Sequence, residues 1–215
     1  MNRDEGLNNL LKWGIENSSA SQDPSAAPRE PTQATRGLDP QTLAALMGGP
    51  SDADLMRESM TAIVSPDVDL ENKLVAFDNF EQLIENLDNA NNMAALGLWA
   101  PLVQQLRHED GDMRRMACWC VATAVQNNEK SQERLLATGA VPTLLNLALE
   151  DSTQAVRKKA ILALSSTARN YQPGLDAVVQ SLPEARKPAK ALDAADMEDV
   201  DSVIQPLRDE LQQRG

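Results

Sequence analysis

The stretch DLENKLVAFDNFEQLIENLDNANNM, residues 69–93, decides the fold. Asp69 is an N-cap candidate, with Asn72 and Lys73 in the first turn behind it. Leu74, Ala76, Phe77, Phe80, Leu83, Ile84 and Leu87 then recur at spacings of three and four, the period of a helix with one broad apolar face. No Gly or Pro interrupts the stretch. It closes on Asn86, Asp88, Asn89, Asn91 and Asn92, residue types that favour turns and helix ends. Asp78, Asn79, Gln82, Glu85 and Asn86 form its polar side. The pattern predicts the first helical repeat of a stacked array.

Downstream the sequence repeats itself. Pro101–Leu106 (PLVQQL) matches Pro142–Leu147 (PTLLNL) at an offset of 41, and each follows a glycine, Gly97 or Gly139. Arg114, Ala117, Val121 and Val125 match Arg157, Ala160, Leu164 and Ala168 at an offset of 43. The opening stretch joins at 41: Ala76, Phe80, Leu83 and Ile84 fall on Ala117, Val121, Ala124 and Val125. The closing asparagines align as Asn86, Asn127 and Asn170. A period of about 40–47 residues with two or three helices per unit is the armadillo or HEAT signature. The expected fold is therefore all-α, an armadillo/HEAT-like right-handed superhelix of stacked repeats. Small residues at Ala76, Ala117 and Ala160 would let neighbouring helices approach closely.

Around this array the chain divides by composition. Residues 1–16 carry Leu7, Leu10, Leu11 and Ile15 on one helical stripe, with Trp13 at its edge. They read either as a helix docked on the core or as a peptide that inserts into a partner's groove. Residues 17–37 are rich in Ser, Pro, Ala and Thr, the composition of a disordered linker. Residues 38–66 predict two capping helices: one from Asp39–Pro40 to Met47, one from a Ser51–Asp54 capping box through Leu55, Met56, Met60, Ile63 and Val64. The repeats span 67–182, with Tyr171–Gly174 read as a turn before a short helix from Leu175 to Leu182. A loop at 183–192 leads to an acidic helix at 193–215, kinked at Pro206, that would cap the array.

Composition excludes several classes. The 215 residues carry 20 basic and 32 acidic side chains, a net charge of -12, which disfavours nucleic acid and anionic membranes. No apolar run approaches the roughly 20 residues needed to span a bilayer, and the N-terminus lacks a secretory signal pattern. Cys118 and Cys120 point about 200° apart on a helix and cannot pair. Free thiols fit the cytoplasm or nucleus. The single histidine, His108, lies in an expected inter-helix loop, too isolated for a metal site. Asp110 and Asp112 lack the remaining ligands of a calcium loop. No nucleophile has a base in a recognisable pattern, and Gly48–Gly49 is not a phosphate loop. The expectation is a protein without catalysis, metal or cofactor, and a monomer.

Stacked repeats expose the last helix of each unit along a groove. Two and six residues beyond the equivalent alanines stand Asp78 and Gln82, Trp119 and Thr123, Leu162 and Ser166. The next turn adds Asn86, Asn127 and Asn170. Trp119 is either packed on a neighbouring repeat or a groove aromatic for a partner, since Trp is frequent at binding hot spots.

The segment from Met56 to Leu106 strongly resembles the armadillo-type nucleotide exchange factors of cytosolic 70-kDa heat-shock chaperones, in their fungal branch. The likeness continues through Ala124–Asn128 and Ala155–Asn170, and Leu10–Ser18 resembles the family's opening segment. The resemblance implies a groove that embraces one lobe of the chaperone's nucleotide-binding domain and speeds ADP release. Partner contacts are then expected at Asp78, Gln82, Asn86, Asn89, Ala90, Asn91, Trp119, Thr123, Asn127, Arg157, Leu162 and Ser166. It also implies an N-terminal segment that competes with clients, with Leu10, Leu11, Trp13 and Ile15 as apolar anchors. Family members often carry more repeats, so the residues after Asn170 either cap the array or replace those repeats. A generic armadillo scaffold binding an extended peptide is the alternative.

Overall fold

The computed structural model describes residues 50–214, which form ten α-helices and two short 3-10 turns. The N-terminal segment, the linker and the first capping helix lie outside the described residues.

The first described helix, α1 (Asp52–Val64), starts directly after Ser51 and buries Met56, Met60 and Ile63 on one stripe, leaving Val64 exposed. Helix α2 (Leu70–Ile84) begins at the expected cap: the Asp69 carboxylate accepts the Asn72 amide at 2.9 Å. It buries Ala76, Phe77, Phe80 and Ile84. The opening stretch is not one helix, however. The chain breaks at Glu85–Asn86, and a second helix, α3 (Leu87–Asn92), follows. Asn86 leaves the helical region (φ -72°, ψ 125°), and its side-chain oxygen accepts the Asp88 amide at 2.9 Å. Its amide side chain caps a new helix and so competes with continuation of the old one. The new direction leaves Leu87 57% exposed, outside the apolar face that the spacing assigned to it.

Two further helices repeat α2. After α4 (Trp99–Gln104), which tightens into a 3-10 turn at Gln105–Arg107, comes α5 (Gly111–Val125). After α6 (Glu129–Ala137) and α7 (Val141–Glu150) comes α8 (Gln154–Ala168). Helices α2, α5 and α8 are each 15 residues long and lie side by side, α5 in the middle. Ala76, Ala117 and Ala160 are all buried at these contacts, as are Phe80, Val121 and Leu164 four residues on. Gly97 and Gly139 share a φ of +69°, a left-handed turn open to glycine, before α4 and α7. The asparagine alignment slips by one residue. Asn127 and Asn170 are left-handed (φ 51° and 57°), and it is the following residue, Asn128 or Tyr171, that stands at the next N-cap; Asn86 is itself the cap.

The expected turn at Tyr171–Gly174 is the start of α9 (Gln172–Ser181), with Pro173 in its first turn, where a missing amide costs nothing. The 183–192 segment contains a 3-10 turn at Glu184–Arg186. Helix α10 (Met197–Gln213) runs through Pro206 and buries Val200, Val203, Ile204 and Leu207, packing on α8.

Candidate binding face

Along one side of α2, α5 and α8 runs a row of polar and aromatic side chains, flanked by α1 at one end and α10 at the other. On α2, Asp78 and Gln82 are exposed and joined by a 2.8 Å hydrogen bond. On α5, Trp119 is half-buried, and the Lys159 ammonium from α8 lies 3.5 Å from its ring centroid. Thr123, one turn further on, donates its hydroxyl to the Glu81 carboxylate at 2.6 Å. Leu162 on α8 is 42% exposed. Three neighbouring repeats are thus tied through Glu81–Thr123 and Trp119–Lys159.

Glu81 is buried, and that burial raises its carboxyl pKa, opposed by the Thr123 hydrogen bond. Burial lowers the Lys159 pKa in turn, opposed by the charge of Glu81. Three clefts run along the row. The first, of about 590 Å³, lies between α1 and α2 and is lined by Leu55, Glu58, Asn79 and Gln82. The second, of about 410 Å³, lies between α2 and α5 and is lined by Glu81, Glu85, Trp119, Thr123, Gln126 and Asn127. The third, of about 570 Å³, lies between α8 and α10.

Not every expected contact residue lies on this face. Ala90 is 2% exposed and in the core, its carbonyl beneath the Ser131 hydroxyl. Asn89 ties α3 back to the fold, donating to Asp52 at 2.8 Å and to the Leu83 carbonyl at 2.9 Å. Asn91 is half-buried, and Asn86 is spent as a cap. Arg157 is buried, with its guanidinium on the Asp151 carbonyl at 2.7 Å. Ser166 is also buried, because Gln132 of α6 covers the end of α8 and donates to its carbonyl at 2.9 Å. Spacing assigns a helical face; it does not reveal what later covers that face. Asp78, Gln82, Trp119, Thr123, Leu162 and Asn127 remain on or beside the row, whereas Leu10, Leu11, Trp13 and Ile15 lie outside the described residues.

The groove spacing picks out neither Glu81 nor Lys159. The repeat offsets carry a signal for Glu81: its equivalents are Ala122 and Ser165, both small and buried, so a carboxylate there departs from the pattern. Lys159 likewise stands where the other repeats have Val75 and Met116.

The remaining chemical candidates are structural. His108 accepts the Asp110 amide at 3.0 Å within its loop, and Asp110 caps α5. Cys118 and Cys120 are free and buried, and burial pushes both thiols well above their ordinary range. Among the described residues no cluster of His, Cys, Asp and Glu could hold a metal ion, and no helix is long and apolar enough to cross a membrane.

Residues 7–93 match the family described as nucleotide exchange factor Fes1, and residues 89–178 match the SIL1/FES1/HPBP1 C-terminal domain. The Hsp70 nucleotide exchange factor FES1 of Gibberella zeae is 56% identical over 212 residues, covering 97% of this chain and 98% of that protein. The protein of the same name from Coccidioides immitis is 50% identical over 210 residues, covering 96% and 98%. The Saccharomyces cerevisiae FES1 is 44% identical over 172 residues, covering 77% of this chain but 57% of that one. Among solved structures, the designed armadillo repeat protein YIII(Dq)4CqI superposes with a TM-score of 0.56 at 18% identity, over 81% of this chain and 75% of that one. That likeness shows the armadillo fold alone.

Proposed function

This chain belongs to the Fes1 family of Hsp70 nucleotide exchange factors, and from that premise we propose how its face performs exchange. The α2–α5–α8 row docks on the nucleotide-binding domain of an Hsp70 chaperone and holds that domain with its nucleotide cleft opened. ADP then leaves, ATP enters, and the chaperone drops its client. The factor needs no reactive group for this. It needs only to bind the open, nucleotide-free state better than the ADP state, and by reciprocity nucleotide expels it to the same degree.

The observation that supports this face is Trp119. It sits half-buried in the middle of the row, clamped by Lys159 from the next repeat. A large aromatic already fixed in place loses little conformational freedom on binding, which suits a hot spot. Asp78, Gln82, Thr123, Asn127 and Leu162 surround it as further contacts. The N-terminal segment, through Leu10, Leu11, Trp13 and Ile15, competes with clients at the chaperone's substrate site, and the Ser/Pro linker gives it reach. The protein acts as a non-enzymatic monomer in the cytoplasm; its two unpaired buried thiols favour that compartment.

Stopped-flow release of fluorescent ADP from a cytosolic Hsp70 tests the proposal. Saturating protein accelerates release; an unchanged rate overturns it. Trp119→Ala weakens chaperone binding by roughly tenfold or more while the far-ultraviolet circular dichroism stays the same. Wild-type affinity in that variant would move the interface elsewhere. Deleting residues 1–37 leaves ADP release intact and slows client release; loss of both together would refute a separate N-terminal role.

A further inference from the structure

The cleft between α8 and α10 has a charge opposite to that of the molecule. The chain carries a net charge of -12, yet this cleft is lined by Lys158, Lys159 and Arg208 and by no carboxylate. Lys158 is exposed and has no ion-pair partner among the described residues. Arg208 reaches Asp201 only at 4.0 Å. Lys159 lies over the Trp119 ring and still lines the cleft; Glu81 attracts it, while the like charges of Arg115 and Lys158 repel it. Between the cations lies an aliphatic floor of Leu162 and Leu211, and Leu162 is 42% exposed. A cationic rim round an apolar floor, only loosely compensated in an acidic protein, is complementary to a segment that is both anionic and apolar.

We propose that this cleft is a docking site for an acidic peptide segment with a leucine-class anchor, carried by a partner protein. The side chain of the anchor covers Leu162 and Leu211, while flanking Asp or Glu residues meet Lys158, Lys159 and Arg208. The cleft is continuous with the proposed chaperone face, because Lys159 lines it and also covers Trp119. The inference rests on that face being the docking side, and it adds the chemistry of a second contact at the end of the row. By contrast, the cleft between α1 and α2 carries Glu58 and the cleft between α2 and α5 carries Glu81 and Glu85, so the charge along the face changes sign from front to rear and biases the orientation of what lies on it.

Fluorescence anisotropy with a fluorescein-labelled peptide, Glu-Asp-Leu-Glu-Glu-Leu-Asp-Glu, and the full-length protein tests the site. The peptide binds the wild type. Replacing both leucines by serine weakens it by roughly tenfold, and replacing its acids by lysine abolishes binding. On the protein, Lys158→Glu with Arg208→Glu weakens binding by roughly tenfold or more. Leu162→Ser, which changes no charge, has a smaller effect of the same sign. Melting temperatures near that of the wild type show that both variants fold. Equal binding by the charge-reversed variant overturns the site. So does equal affinity for the serine peptide or for inorganic polyphosphate, since either would mean diffuse charge attraction without an anchor. Because the peptide is read on the protein alone, its failure leaves the exchange reading standing. Peptide binding by a wild-type protein that does not speed ADP release would sink the exchange reading and keep the cleft.

Discussion

Glu81 puts a carboxylate where burial favours the neutral form, with the Thr123 hydroxyl as its hydrogen-bond partner. Its folded pKa lies above that of the unfolded chain, so ionising it costs stability as pH rises through and beyond the ordinary carboxylate range. Glu81→Gln keeps an acceptor for Thr123 and removes that cost. The variant therefore melts higher than the wild type at pH 7, and the difference shrinks to nothing below about pH 4, where the unfolded carboxyl is protonated as well. Thermal melts across pH check this; a variant less stable at pH 7 would mean that attraction to Lys159 outweighs desolvation. Gly174 makes an independent case. A Cβ there would collide with the Thr167 carbonyl, which is backbone and cannot swing away, and would crowd the Tyr171 ring. Within a helix Gly→Ala ordinarily stabilises by up to about 1 kcal/mol, so a drop in Tm is diagnostic. Gly174→Ala is expected to cost roughly 1–3 kcal/mol, several degrees of Tm for a chain of this size. The repeat offsets single out Glu81 as a departure, but neither its hydrogen-bond partner nor the closeness at Gly174 was legible in the sequence. Each depends on contact with a residue that only the packing brings close.

At the level of elements, α5 is fastened to the turn before α8 by Arg114 and Asp151, at 2.7 and 3.1 Å, and both side chains are largely buried. Burial pushes the Asp151 carboxyl up, but the Arg114 bond and the Thr153 amide outweigh it and hold the pKa below the ordinary value. The stability from this pair is thus present above the ordinary carboxylate pKa and is lost as pH falls through the depressed folded value. Asp151→Asn leaves the guanidinium without its countercharge and costs on the order of 2–3 kcal/mol at pH 7. Its penalty fades in acid, which urea denaturation at neutral and low pH would show; a penalty independent of pH would assign the loss to packing. The repeat pattern did reveal the elements involved. Ala76, Ala117 and Ala160 marked the three equivalent helices because a close helix contact demands a small residue at one fixed position. The break at Glu85–Asn86 escaped the pattern, since an asparagine that caps a new helix looks in sequence like one that ends an old helix. The binding face was legible in part. Asp78, Trp119 and Leu162 follow from helical spacing alone, whereas the burial of Ser166 follows from Gln132, which belongs to a different helix.

For the whole molecule, what matters is how the repeats are joined. Helix α8 is fastened to the preceding repeat at three levels: Arg114–Asp151 at one end and Lys159 over Trp119 in the middle join it to α5, and Gln132 of α6 at the other end donates to the carbonyls of Ser166, Thr167 and Arg169. The seam between α2 and α5 relies on Thr123–Glu81, with a long Cys120 contact to the Phe77 carbonyl at 3.9 Å. In a stack where each repeat touches only its neighbours, deformation gathers at the least fastened joint. Backbone amides of α2 should therefore exchange with deuterium faster than those of α8; equal protection would mean uniform joints. The protein then has uneven compliance, a rigid rear half and a springier front half. On the proposed mode of exchange, a body that keeps another molecule deformed must resist the restoring force, and the rear half is the part stiff enough to do so. In that proposed mode the springier front would let the grip conform as its load changes shape, so that one clamp closes on one form of its partner and yields to another.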